Sequence, residues 1–299
     1  TYYYMNWNDW QDNAGDATVT SAKATSVATY GGFYVARFEA GEPSTANFYN
    51  DKDGSTYWQM HYNEDASIKY GDNTNKPDAS KTYIDTYKTK NVTEQEGKKL
   101  LPVSKKNTPS WNYISQTNSK TASENMYGES KTIKSYLIDG TAWDTITQWI
   151  SDSTQKSVTD STDWGNYYNA NYTLKGLYAR HQGRTAKDNV WRWFPAYIYN
   201  YGTYSKGNEY TEVATGVTTE IAARNSACNI YDMAGNMWEW TTETGRHGST
   251  ASGATEFAVL RGGSFGNYGS DYPVSYRYGD ISVGDCSIDV GFRVVLYIQ

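Results

Sequence analysis

Two segments near the C-terminus, "AVLRGGSF" (258–265) and "VGFRVVLYI" (290–298), most constrain what this chain can become. Both are rich in β-branched and aromatic residues and bounded by glycines, the pattern of buried strands. Gly262-Gly263 within the first allows a positive φ or a close backbone approach. A third segment, "GGFYVARFEA" (31–40), alternates apolar and polar residues after a Gly-Gly turn and reads as a core strand. Two stretches read as helices. In "YLIDGTAWDTITQWISDST" (136–154), Asp139 or Thr141 is placed to cap, and Trp143, Ile146 and Ile150 recur at i, i+3, i+7. In "TPSWNYISQTNSKTASENMYG" (108–128), Thr108 is the expected cap with Pro109 at the first helical position, and Trp111, Ile114, Ala122 and Met126 fall near one face. Residues from Asn50 to Lys99 and from 151 to 190 are polar and read as loops and short hairpins. From "VWRWFPAYIYNYG" (190–202) onward the chain is rich in strands and turns. There is no internal repeat and no Pro/Ser linker. The expectation is one α+β domain over 1–299, with two helices, short antiparallel sheets and much irregular structure.

Composition narrows the function classes. With 29 Tyr and 11 Trp but only 38% hydrophobic residues, rings must supply much of the buried area. The tyrosines, set among Ser, Thr, Asn and Gly, also fit a wet, adaptable binding surface, or equally the tyrosine-covered strands of an extracellular β-rich protein. A net charge of −6 and a pI of about 5.2 give no basic footprint for nucleic acid or anionic membrane. No apolar run is long enough to span a bilayer. The opening "TYYYMNWNDW" has no initiator Met or signal-like segment, so the chain reads as part of a longer protein with its targeting information elsewhere. Cys228 and Cys286 lie too far apart for a zinc motif and read as two unrelated thiols. His61, His181 and His247 are scattered and read as ordinary histidines.

Four stretches occur in a fixed order: "GGFYVARFEA", "YLIDGTAWDTITQWI", "NIYDMAGNMWEWT" (229–241), and "LRGGSF" followed by "VGFRVV". In this order they resemble the formylglycine-generating enzyme family, also called the sulfatase-modifying-factor domain, a variant of the C-type lectin fold. "GNMWEW", "RGGSF" and "GFRVV" carry most of the resemblance. Read for themselves, Gly235-Asn236 is a turn dipeptide, and Trp238 and Trp240 flank Glu239 on an alternating strand, which suits a Trp pair in the core. The resemblance implies a calcium site using side-chain oxygens of Asp232 and Glu239 and the carbonyls of Gly235 and Met237. Those are hard oxygen donors, but too few to fill the shell alone. Arg293 is expected to pair with a buried carboxylate or with carbonyls.

The enzymes of that family keep a cysteine pair just after the Gly-Gly-Ser motif, at positions that here hold Asn267 and Tyr272. Neither an amide nor a phenol replaces a thiolate in binding copper(I), so the resemblance implies the fold without its chemistry. The segment 267–290 contains 4 Tyr, 4 Asp and 4 Ser but no Lys, Glu, Gln, Met or Trp. That pattern resembles the variable region of a target protein of a diversity-generating retroelement. Adenine-specific randomisation of Asn codons yields Asn, Tyr, Asp, Ser and Gly but never the five missing types. The positions this implies as variable are Gly266, Asn267, Tyr268, Asp271 and Tyr272, then Tyr278, Gly279, Asp280 and Ile281, then Asp285, Cys286, Ser287, Ile288 and Asp289. Ser264, Ser275, Tyr276 and Arg277 would hold the scaffold.

The expected function is therefore non-catalytic binding of an unknown ligand, a protein or glycan on another cell surface, by a protein displayed on a bacterium or phage. No cofactor is required apart from a structural calcium ion. The alternatives are a divergent oxidase of the formylglycine-generating type and a calcium-dependent carbohydrate-binding module.

Overall fold

A computed structural model of the chain describes residues 17–43, 91–105, 110–167, 180–184, 191–195, 208–212, 226–247, 255–264, 266–287 and 289–299. The expected loops of 50–90 and 168–179, the Thr108-Pro109 cap and variable position Ile288 lie outside these residues. So does His61; for His181 and His247 only the backbone is described.

Three helices are described, one more than the sequence led us to expect: α1 (Ala17–Tyr30), α2 (Gln116–Asn125) and α3 (Gly140–Ser153). In α3 Asp139 is the cap, its carboxylate accepting from Ala142 N–H at 2.9 Å, while Trp143, Ile146 and Ile150 are buried. The second helix starts later than the sequence reading placed it. Ser115 is its cap, and Trp111 and Ile114 are buried in the extended segment before it. The face of α2 that packs inward is Gln116, Ser119, Ala122 and Ser123, largely polar and so silent in a hydrophobic pattern.

Two sheets organise the centre. One orders β1 (Tyr34–Val35), β14 (Val294–Ile298) and β4 (Ile133–Leu137), all antiparallel with β14 in the middle. The other orders β12 (Arg277–Ser282), β11 (Thr255–Arg261), β10 (Trp238–His247) and β13 (Val290–Phe292). Its last pairing, β10 with β13, is parallel, so the expectation of purely antiparallel sheets fails there. A long crossover lets the chain return beside β10 in the same direction. Peripheral sheets are the hairpins β2 (Glu94–Gln95)–β3 (Lys98–Lys99) and β8 (Ser226–Ala227)–β9 (Ile230–Tyr231), and the three strands β5 (Arg180–Arg184), β6 (Trp191–Pro195) and β7 (Asn208–Glu212).

The segment 31–40 is less regular than a core strand. Only Tyr34 and Val35 pair regularly, and Tyr34 is exposed. The segment nonetheless follows its partner, with Ala36 N–H donating to Val294 O and Ala40 N–H to Phe292 O, and it buries Phe38, Glu39 and Ala40. The segment 290–298 thus serves both sheets in turn, and Arg293 stands at the changeover. Its Nη1 donates to Ala36 O, its Nη2 to Tyr231 O and Glu239 Oε1, and its Nε to Glu239 Oε2, all within 3.0 Å. One guanidinium therefore ties together the N-terminal segment, β9, β10 and the closing strand, as its planar fork permits.

Candidate ligand-binding surface

The site grows from the alternation along β10. Trp240 points into the core and donates from Nε1 to Ile114 O at 2.8 Å, and Glu239 points to Arg293. Trp238 is 6% exposed and forms the floor of an aromatic cluster. Its ring lies 5.6 Å from Tyr272, 6.2 Å from Tyr276 and 5.7 Å from Tyr278, and Tyr272 meets Tyr276 edge-on at 5.0 Å. The three tyrosines are half-buried, one flank on the indole and the other on solvent. Burial, then the neighbouring Tyr272 and Tyr278, raises the Tyr276 phenol above its ordinary pKa, so it stays protonated and able to donate.

The loop that supplies Tyr272 is built on the Gly-Gly pair. Gly263 has φ +72, and a Cβ there would fall 2.4 Å from Tyr272 O, so the loop closes only over glycine. The buried Tyr167 hydroxyl sits 2.7 Å from Gly262 O and 3.0 Å from Tyr272 O, holding the turn to the loop.

Of the expected variable positions, Gly266, Tyr268, Asp271 and Asp285 are exposed, and Tyr272, Tyr278, Ile281, Cys286, Ser287 and Asp289 are half-buried. Two do not behave as free surface. Gly279 is buried within β12. The Asn267 carboxamide oxygen accepts from both Ser264 N–H and Ser264 Oγ at 2.9 Å, closing the turn after the Gly-Gly pair. Asp280 lies in β12, and nothing about its side chain is described. The two segments join through Ser264, whose Oγ also reaches Asp289 Oδ2 at 3.2 Å.

The residues read as scaffold divide. Ser275 donates to Val158 O at 2.6 Å, and Arg277 reaches Asp144 at 2.5 Å and Glu243 at 3.0 Å, both facing inward. Tyr276, however, belongs to the exposed cluster. The alternation Tyr276-Arg277-Tyr278 was the available signal, since residues two apart share a strand face. Cys228 and Cys286 are not joined in a disulfide.

The expected calcium donors lie at a buried acidic cluster. Asp232 and Glu239 are buried close to a third acid, Glu39, which nothing in the sequence singled out. Burial, then the charges of Asp232 and Glu239, pushes the Glu39 carboxyl well above the ordinary carboxylate range. Its oxygens accept from Ser110 Oγ, Asn236 Nδ2 and Met237 N–H. Glu239 presents both oxygens to Arg293, with Nη2 at 2.6 Å. Among the described residues no group of three or more His, Cys, Asp or Glu is arranged to hold a metal. As they stand, the four expected donors do not fit a calcium ion, because both Glu239 oxygens already accept from the Arg293 guanidinium. Gly235 serves the backbone instead. At φ +68 it lies so close to Asn166 that a Cβ would meet that residue's carbonyl oxygen at 2.3 Å.

The Sulfatase-modifying factor enzyme 1-like domain matches residues 162–298, a span that includes β10 to β14 and the whole aromatic cluster. Residues 162–298 are thus similar to a sulfatase-modifying-factor type domain, and the described elements are α+β. Among solved structures, one titled "Crystal Structure of CarF" is similar at 12% identity, over 69% of this chain and 71% of that one, with a TM-score of 0.35. No curated protein matches the chain. No described helix is long and apolar enough to cross a membrane.

Proposed function

We propose that the chain is a non-catalytic binding protein whose C-terminal surface, residues 266–289, is the diversified region of a retroelement target displayed outside a cell or on a virion. One observation carries this reading: half-buried Tyr272, Tyr276 and Tyr278 stand on Trp238 in the segment where the resembling enzymes keep their cysteines. Tyrosine gives rigid amphipathic contact area at low entropic cost, and the flanking Asp, Ser and Asn give adjustable hydrogen bonds. Turns anchored by Gly263, Tyr167 and Arg277 let the side chains vary while the sheets stay in place. Asn267 and Tyr272 at the cysteine positions remove the thiolates that oxidase chemistry requires.

Sequencing this gene across related isolates tests the reading. Substitutions confined to residues 266–289, and to codons reachable from adenine, support it. Substitutions spread evenly along the gene overturn it, as does copper-dependent oxidation of a cysteine-containing peptide by the protein.

A further inference from the structure

We infer that the tyrosine surface takes a cationic polypeptide segment, a stretch of a partner protein bearing lysine or arginine side chains. This rests on the binding role proposed above for the same face. The centre of the face is aromatic and its rim is acidic. On one side the turn 160–163 docks against the loop 268–271, with Ser161 N–H donating to Gly269 O at 3.0 Å. The contact is so close that a Cβ on Gly269 would lie 2.6 Å from Thr162 N. It brings exposed Asp160 and Asp163 beside exposed Asp271. In the segment after β12 lie exposed Asp285 and half-buried Asp289, the latter with Oδ2 3.2 Å from Ser264 Oγ.

The positive charge nearby is largely committed inward. Arg261 and Arg277 both bind Asp144, one on each carboxylate oxygen, and Arg277 also faces Glu243. Lys156 lies over the Trp164 ring at 5.1 Å. Lys120 stands one helical turn beyond Thr117, whose N–H reaches Val283 O at 3.4 Å. Among the described residues, five aspartates thus lie in the segments around the tyrosines, against these two lysines.

Such a face is complementary to ammonium and guanidinium groups. Their charge is attracted to ring faces, a guanidinium stacks on them, and carboxylates at the rim accept its hydrogen bonds. An acidic partner would meet like charge on every side.

The test uses the whole chain and two fluorescein-labelled pools of randomised dodecapeptides, one with Lys or Arg at alternate positions and one with Asp or Glu there. Binding is read by anisotropy at low and at physiological salt. The basic pool is expected to bind and the acidic pool not, with binding weakened by salt. Asp160→Asn/Asp163→Asn/Asp271→Asn removes only exposed charges and should weaken the basic pool about tenfold, as three rim charges imply. Tyr272→Ala/Tyr278→Ala should weaken it at least as much, with folding of both variants checked by circular dichroism. Equal or tighter binding of the acidic pool, or basic binding indifferent to the aspartate variant, overturns the charge inference. If binding still depends on the tyrosines in that case, the proposed binding surface stands. If binding of either pool is indifferent to the tyrosines, both proposals fall.

Discussion

Arg293 and Glu239 form a fully buried ion pair, Nη2 to Oε1 at 2.6 Å and Nε to Oε2 at 3.0 Å, at the point where one strand segment passes from one sheet to the other. Removing one partner of such a pair leaves an uncompensated buried charge. Arg293→Ala should therefore lower the unfolding free energy by about 3–5 kcal/mol. Arg293→Lys keeps the charge but loses the fork that reaches Ala36 O and Tyr231 O together, and should recover only part of that loss. Urea denaturation of the three proteins measures both effects, and a lysine variant as stable as the parent would refute the clamp.

The same pair bears on calcium. With the guanidinium in front of Glu239, no calcium-linked stabilisation is expected. Melting temperatures in millimolar calcium and in excess chelator should agree within about 1 °C, because a ligand that does not bind the native state cannot shift its stability. A clear rise with calcium would show that a cation enters beside Arg293.

Stability should fall on both sides of a mildly acidic optimum. Burial works against ionised Asp139, but Lys23, Thr141 Oγ1 and Ala142 N–H outweigh it and hold its pKa below the ordinary value. A depressed carboxyl pKa contributes stability above its unfolded value of about 3.9, lost as pH falls through the folded value. Glu39 runs the other way. Burial and the Asp232 and Glu239 charges raise it, so its contribution is complete below about pH 4.3 and is lost as pH rises through the folded value. Denaturation midpoints from pH 3 to 8 check this. Asp139→Asn should flatten the acid side and Glu39→Gln the alkaline side, each at some cost in stability.

Substitution tolerance in 266–289 should be uneven. Tyr268→Ser and Asp285→Ser alter exposed side chains and should change stability by about 0.5 kcal/mol or less. Asn267→Ala leaves the Ser264 N–H without its acceptor, while Oγ keeps Asp289, and should cost about 1–3 kcal/mol. Gly263→Ala should do more damage, forcing a Cβ against Tyr272 O at a positive φ. Thermal melts of the four variants rank them, and equal melting temperatures would refute the division.

What was legible in the sequence follows what kind of residue is buried. The third helix announced itself because Asp139 caps it and large apolar rings recur along its inner face. The first helix buries Val19, Ala22 and Ser26, and the second buries Gln116, Ser119 and Ser123, so their inward faces carry little hydrophobic signal. Gln116 is stabilised there by donating to Thr241 O and Glu243 O, a partnership no periodicity reveals. At the surface, the motif segments singled out Asn267 and Tyr272. They did not show that one is a hydrogen-bond acceptor in a turn and the other a wall of the aromatic cluster. Glu39 went unnoticed because the charges that make it unusual come from residues about 200 positions away.

The passage of 290–298 from one sheet to the other has a consequence for biosynthesis. Segment 34–35 waits for partners near 295–296, and the first helix waits for Ile298 and Gln299, whose contacts with Ser26 and Ala22 span more than 270 positions. Neither central sheet is complete until its own part of the segment 290–298 has been translated, and such distant closures fold slowly. Any variation upstream therefore enters a chain that has not yet committed to its fold. The closing strand then acts as a late checkpoint, completing both sheets only after the surface residues before it have been made.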